Sequence, residues 1–302
     1  MRKILISALS IAFVSSFPAI SMAAKQRPSP VRVADGLLAA DRGFAAAAAA
    51  RSASDAIAAM ITDDVVLFVV PVANQARNRA QALEVLHKAF GPDEGRLSWT
   101  PVRAGISADG TQGFTYGFMN RAVTGRPPAL GKYVAYWTRR PEGWRVAALK
   151  IVPRPEGAVS TAVRPPALPA KLTAPGPAAK SVRYRAEIDR RERAFSDYAQ
   201  VSSLGAAFRR FGSKDAMNVG GDADFTYGND AIAEAQGGDA PKPSPLRWAP
   251  DGVIAASSGD LGVTYGYLLR NGPTPPGRLA RIPWLTVWRR QSLKDPWLYV
   301  AE

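Results

Sequence analysis

Gly113-Phe114-Thr115-Tyr116-Gly117 in the first half of the chain returns as Gly262-Val263-Thr264-Tyr265-Gly266 in the second. Upstream of it, Leu97-Ser98-Trp99-Thr100-Pro101 returns as Leu246-Arg247-Trp248-Ala249-Pro250. Further upstream still, Asp41-Arg42-Gly43-Phe44 corresponds to Glu192-Arg193-Ala194-Phe195, and Asp64 corresponds to Asp215. Downstream, Trp137 corresponds to Trp288, the pair Arg139-Arg140 approximately to Arg289-Arg290, which stands one residue closer to its tryptophan, and Trp144 to Trp297. The offset stays near about 150 residues and wanders only where loops tolerate insertion, so two tandem copies of one domain account for the pattern.

Within each copy the periodicity predicts the elements. Ala34 to Met60 carries Phe44, Ile57 and Met60 at helical spacing and reads as two helices broken near Ser52 to Ser54. Val65 to Val70 is a β-branched, apolar strand that stops at Pro71, and Gln81 to Phe90 is a helix ended by Gly91-Pro92. Four strands follow, 97 to 108, 113 to 123, 132 to 139 and 144 to 152, separated by turn sequences such as Asp109-Gly110 and Pro141-Glu142-Gly143. The second half repeats the order, with helix over 187 to 211, a short helix near 229 to 235, and strands through Trp248, Tyr265, Trp288 and Trp297. The fold class expected is α+β, each domain a bent antiparallel sheet packed on about three helices. The first domain spans 33–152 and the second 181–302. Between them, 153–180 holds Pro153, Pro155, Pro165, Pro166, Pro169, Pro175 and Pro177. Such density reads as an extended linker holding the domains apart or tethering them loosely, with a strap packed along one domain as the alternative.

The chain opens with Arg2-Lys3, an apolar run from Ile4 to Ile20 and the small-residue triplet Ser21-Met22-Ala23. Residues 1–23 therefore read as a secretory signal peptide, and a bacterial periplasm as the destination. There is no cysteine, which excludes disulfides, thiolate metal sites and a cysteine nucleophile. No later run is long and apolar enough to span a membrane. The net charge of +14 makes anionic partners conceivable, but the basic residues are scattered as short pairs without a nucleic-acid motif. No phosphate loop, metal-ligand cluster or serine elbow stands out, and neither a metal nor an organic cofactor is expected.

The acidic-Arg-x-Phe helix, the Leu-x-Trp-x-Pro and Gly-x-Thr-Tyr-Gly strands and the closing tryptophans resemble the nuclear-transport-factor-2-like (NTF2-like) superfamily, within it the SnoaL-like group. The resemblance covers both halves and implies cone-shaped domains with a pocket in the open end. It also implies functions ranging from isomerases and cyclases to binding modules, and frequent dimerisation, so a homodimer or an intramolecular pairing of the two halves is expected. Fold likeness does not assign a reaction.

Large rings on a concave sheet would line an apolar pocket, which makes Trp99, Tyr116, Tyr133 and Trp137, with Trp248, Tyr265, Trp284 and Trp288, the ligand-pocket candidates; ordinary core packing is the competing reading. The polar candidates are Asp41 and Glu192, in a cluster at the base of the cone or as solvated ion pairs, and Asp64 and Asp215, read as turn or cap residues. Glu302 falls five residues after Trp297, where Leu149 falls after Trp144, and would give the second pocket an acid that the first lacks. His87, the only histidine, reads as solvated or helix-packed. The leading expectation is an exported small-molecule-binding or scaffold protein. The alternative is a cofactor-independent isomerase, cyclase or hydrolase working on an apolar substrate by general acid/base catalysis.

Overall fold

The computed structural model describes residues 28–72 and 75–302; the expected signal peptide lies outside them. Helix α1 (Pro30–Ala48) begins where Ser29 accepts the Arg32 amide at 3.2 Å, with proline at the first helical position. Ser52 caps α2 (Ala53–Ala58) in the same way, which is the physical reason the helical pattern breaks there. Strand β1 (Ile61–Val69) leads to α3 (Arg79–Phe90), capped by Asn78 and closed by Gly91 at φ 72°. The meander follows as β2 (Arg96–Ile106), β3 (Gln112–Ala122), β4 (Ala129–Arg140) and β5 (Gly143–Pro153). The four strands are antiparallel neighbours, and β1 joins the far edge by pairing parallel to β5, giving the order β1-β5-β4-β3-β2.

The second half has α4 (Ala178–Val201), α5 (Leu204–Phe211), β6 (Gly212–Asn218), β7 (Thr226–Tyr227), α6 (Asn229–Ala235), β8 (Leu246–Ala255), β9 (Leu261–Arg270), β10 (Arg281–Arg289) and β11 (Leu298–Ala301). Its sheet runs β7-β6-β11-β10-β9-β8, with β6 parallel to β11, so the two halves share one topology apart from the added β7 edge. The repeated glycine of the Gly-x-Thr-Tyr-Gly strand has a steric cause. A Cβ on Gly113 would lie 2.5 Å from Leu37 of α1, and one on Gly262 would lie 2.4 Å from Ile188 of α4, so both glycines let the first helix lie close on its sheet.

Each sheet is apolar on both faces. Along β1, Val65, Leu67 and Val69 point to the helices of the first cone, whereas Val66 and Phe68 point away; along β4, Tyr133, Ala135 and Trp137 point in, and Val134 and Tyr136 point away. In β10, Trp284 and Trp288 face the second cone, and Leu285 and Val287 face away. The outward faces of the two sheets meet in one buried cluster between the halves. The halves are therefore packed sheet to sheet, and the expectation of domains held apart is corrected: two apolar faces cover one another.

Polar contacts fix the register of this packing. The β2–β3 and β8–β9 turns brace each other, Asp109 accepting from the Ser257 hydroxyl (2.7 Å) and the Ser258 amide (3.0 Å), while Asp260 accepts from the Ala108 amide (2.9 Å). Lys132, fully buried, donates to the carbonyls of Val219, Asp222 (2.6 Å) and Asp224 (3.0 Å) across the interface. The proline-rich segment is a strap along β2. Arg164 and Ala167 amides donate to Val102 and Ala104 carbonyls at 2.8 and 2.9 Å, the Ile106 amide donates to Ala167 at 3.1 Å, and the Thr173 amide donates to Ala108 at 2.7 Å. Prolines lacking N–H groups suit the solvent side of such an edge, and the intervening non-proline residues supply the ladder.

Phe68, fully buried between the sheets with its ring centroid 5.7 Å from that of Tyr267, tests the interface. Phe68→Ala is expected to lower the stability of the whole chain by about 3 kcal/mol or more in urea titration, in one transition. Two resolved transitions in the unsubstituted protein would show that the halves fold independently of their contact.

Candidate functional site

At the base of each cone a carboxylate on the first helix is sealed from solvent and held by sheet residues. In the first, Trp99 Nε1 donates to Asp41 Oδ1 at 2.7 Å, the Tyr133 hydroxyl donates to Oδ2 at 2.8 Å, and Trp137 Nε1 donates to Thr115 at 2.8 Å. In the second, Glu192 Oε1 accepts from Trp248 Nε1 at 2.6 Å, and Oε2 from Thr264 at 2.6 Å and Trp288 Nε1 at 2.9 Å. The repeated threonine, tryptophans and helix acid are thus one constellation made twice. Burial raises the Asp41 pKa, with the hydrogen bonds from Thr115, Trp99 and Tyr133 opposing it; burial likewise pushes Glu192 up to about 7 against its bonds from Thr264, Trp248 and Trp288. Both acids occupy the buried-cluster alternative rather than the solvated one, whereas Arg42 is exposed.

Above the Glu192 network the second cone encloses a cavity of about 160 Å³. Its wall is mostly apolar, from Leu204, Phe208, Leu246, Trp248, Leu268, Ile282 and Trp284, with Asn218, Gln236 and Glu302 as polar groups from the same half. Lys150 and Val152 close it from β5 of the first half. Glu302 is 9 % exposed, and burial together with the nearby Glu192 charge raises its pKa, with Lys150 and Thr286 opposing; burial lowers that of Lys150, with Glu302 opposing. Two of the lining residues carry a polar atom, Trp284 Nε1 and Glu302 Oε2, that is buried without a hydrogen-bond partner among the described residues. Thr286 lies near enough to favour the ionised form of Glu302 without a bond of normal geometry.

The first cone differs. Its mouth is a depression of about 220 Å³ walled by Val69, Phe90, Leu97, Met119, Leu130 and Ile151, with Arg121 beside it and no acid. Tyr133, which replaces Trp284 there, spends its hydroxyl on Asp41.

Six of the eight ring candidates, Trp99, Tyr133, Trp137, Trp248, Trp284 and Trp288, lie on the cone faces of their sheets, and of these Trp248 and Trp284 reach the cavity. Tyr116 and Tyr265 lie on the opposite faces, against the other half, because they sit one residue from Thr115 and Thr264 and strand side chains alternate. Asp64 and Asp215 lie inside β1 and β6, not at turns. Asp64 is exposed beside Arg140 at 3.6 Å, and Asp215 pairs with Arg103 of the other half. The His87 side chain is 63 % exposed, its Nε2 3.8 Å from Glu94. Lys150, Asn218 and Gln236 were not singled out by sequence, and Arg289 only as a landmark of the repeat. Lys150 is the extreme case, since it serves a pocket in the other half and no local pattern can say so. Among the described residues no group of three or more His, Asp or Glu side chains is placed to hold a metal ion, and no helix is long and apolar enough to cross a membrane.

No family model matches the chain, and no curated protein matches it. Solved structures do. An NTF2-like protein of unknown function from Pseudomonas putida KT2440 is 14 % identical, with 43 % of this chain and 92 % of that one covered and a TM-score of 0.35. An NTF-2-like protein of unknown function from Shewanella oneidensis MR-1 is 11 % identical, covering 40 % and 94 %, with a TM-score of 0.28. A ketosteroid isomerase-like protein from Erwinia carotovora atroseptica SCRI1043 is 18 % identical, covering 42 % and 95 %, with a TM-score of 0.29. In each case a stretch shorter than half of this chain is similar to nearly the whole of the other protein.

The raised carboxyl groups give the fold a pH signature. Glu192 and Glu302 bind their protons more tightly folded than unfolded, so their contribution is fully present below pH about 4.5 and is lost as pH rises through the folded values. Groups held low, such as Asp109 and Glu187, lose their contribution only in acid, below this window. Stability measured by urea titration is expected to fall between pH 5 and pH 8, and Glu302→Gln to flatten that fall; an identical slope in the variant would remove Glu302 as a source.

Proposed function

We propose that the second cone binds a small, largely apolar molecule carrying one carbonyl oxygen, with the first cone and the strap as its scaffold. The observation that carries this reading is a pair of buried, unpartnered polar atoms, Trp284 Nε1 and Glu302 Oε2, on two residues that line one largely apolar cavity. Buried polar atoms left unpaired are costly, and a ligand oxygen that pairs with them recovers that cost. The indole N–H is a donor, and burial favours the protonated carboxyl, a second donor, so the complementary ligand group is an acceptor. The size agrees: a cavity of about 150 Å³ accepts a benzene-sized ring. With residues 1–23 read as a signal peptide, the binder works in a bacterial periplasm.

Acid/base catalysis is the second reading, favoured by one observation: an acid and a base, Glu302 and Lys150, line the same cavity, where burial opposes the charged form of each. Such a pair can exchange a proton with a carbon next to a carbonyl.

Cyclohexanone is a suitable probe for calorimetry. Trp284→Phe keeps the ring wall and removes the donor, and is expected to weaken cyclohexanone binding up to about tenfold while leaving methylcyclohexane binding unchanged. Equal cyclohexanone affinity in both proteins would remove the carbonyl assignment. Enzyme-dependent deuterium exchange at the ketone's α-carbons, followed by NMR and lost in Glu302→Gln, would favour the catalytic reading over simple binding.

A further inference from the structure

Between the halves, away from the second cone's cavity, lies a cleft of about 450 Å³. The strap forms one wall through Pro166 to Leu168, and β2, β6, the end of β10 and the segment leading into β11 form the rest. Three arginines contribute to its lining, and two are occupied. Arg103 donates to the Pro165 carbonyl at 2.9 Å and the Asp215 carbonyl at 3.1 Å and pairs with the Asp215 carboxylate. Arg290 pairs with Glu187 at 3.0 Å and donates to the Gly259 carbonyl.

Arg289 is the third. Its side chain follows Leu285 and Val287 on the outward face of β10, so its stem is rooted at the end of the apolar contact between the sheets. It is 5 % exposed, yet Nε, Nη1 and Nη2 all lack a hydrogen-bond partner among the described residues. Asp260 and Asp215 are close enough to attract it, but other donors hold them: Ser258 and the Ala108 amide on Asp260, Arg103 and Ser213 on Asp215. A buried guanidinium with five unspent N–H donors is a costly arrangement that calls for an anion. In the register equivalent to Arg289, one residue after the β4 tryptophan, the first half has Thr138, so this buried arginine belongs to the second copy alone.

We propose that this cleft is a binding site for a small organic carboxylate, its oxygens on the Arg289 guanidinium and its apolar body against Leu168, Leu298 and Val300. Arg289 is the one arginine of the three without an acid at hydrogen-bond distance, and the Asp295 carboxylate in the same wall disfavours the second charge of a phosphate. The planar guanidinium fork matches a carboxylate's two oxygens, and the apolar half of the wall favours an organic ion over an inorganic one. The arginine stem is flexible enough to turn its head into the cleft without moving β10. This site is independent of the second cone's cavity, and neither assignment needs the other.

Benzoate is the probe, with calorimetry and thermal melting as readouts and inorganic phosphate at equal ionic strength as the comparison. Wild-type protein is expected to bind benzoate saturably at one site and to melt higher with it. Arg289→Met is expected to bind at least tenfold more weakly, and to melt no lower than wild type in its absence, because it removes an unpaired buried charge. Arg77→Met, at an exposed position, is expected to bind as wild type does. Absence of saturable binding, equal affinity in Arg289→Met, or equal stabilisation by phosphate would overturn the proposal. Should Arg289→Met fail to fold, Arg289→Lys keeps the charge without the fork, and equal benzoate affinity in that variant would overturn the assignment just as firmly.

Discussion

A sheet whose strands are apolar on both faces cannot stand in water with one face covered, and this requirement governs the molecule. The helices cover the concave faces. The outward faces, carrying Val66, Phe68, Phe114, Tyr116, Val134 and Tyr136 in one half and Val263, Tyr267, Leu285 and Val287 in the other, cover each other, together with Val159 and Ala167 of the strap. An isolated copy would expose a patch of the kind that drives association or aggregation. Joined in one chain, each copy is permanently supplied with its partner, and the bracing turns, Lys132 and the strap set the register in which apolar packing alone would be permissive.

Within each cone the buried acid does a different task. Asp41 and Glu192 are posts to which an edge strand and inner strands of the sheet are tied through indole, phenol and hydroxyl donors. Because the Thr264 hydroxyl reaches the Thr286 carbonyl at 3.3 Å as well as the Glu192 carboxylate, it can accept from a protonated carboxyl by turning its own hydrogen to that carbonyl. Such a fully satisfied network positions the helix against the sheet and so fixes the depth of the cone above it.

Much of this was legible in the sequence. The repeat, the helix breaks at Ser52 and Gly91 and the meander follow from local signals, since caps and glycines act over a few residues. The facing of single rings was harder. Tyr116 and Tyr265 are conspicuous in the repeated strand, but one residue of register separates a cone ring from an interface ring, and a strand buried on both sides carries no polar alternation to reveal which is which. Asp64 and Asp215 mimic turn residues because both sit near a strand's start, on exposed edges of the pleat. The linker misled for a related reason: proline-rich composition reports extended backbone, and an extended backbone serves equally as a tether or as an edge strap. Lys150 and Arg289 were beyond local reading, because their roles arise only from the contact between halves.

The closure of the second cavity by Lys150 has a consequence for how such a protein can change. In a symmetric pair of identical subunits every substitution is made twice, so a lysine sent into a neighbour's pocket is also sent back, and both pockets must tolerate it. A covalent duplicate is released from that mirror. One copy can donate a cation and keep an apolar mouth, while the other receives the cation and places Glu302 to meet it. Two surfaces at equivalent places in the repeat thus serve as a donor and an acceptor, which gives a pseudo-symmetric architecture a chemical polarity.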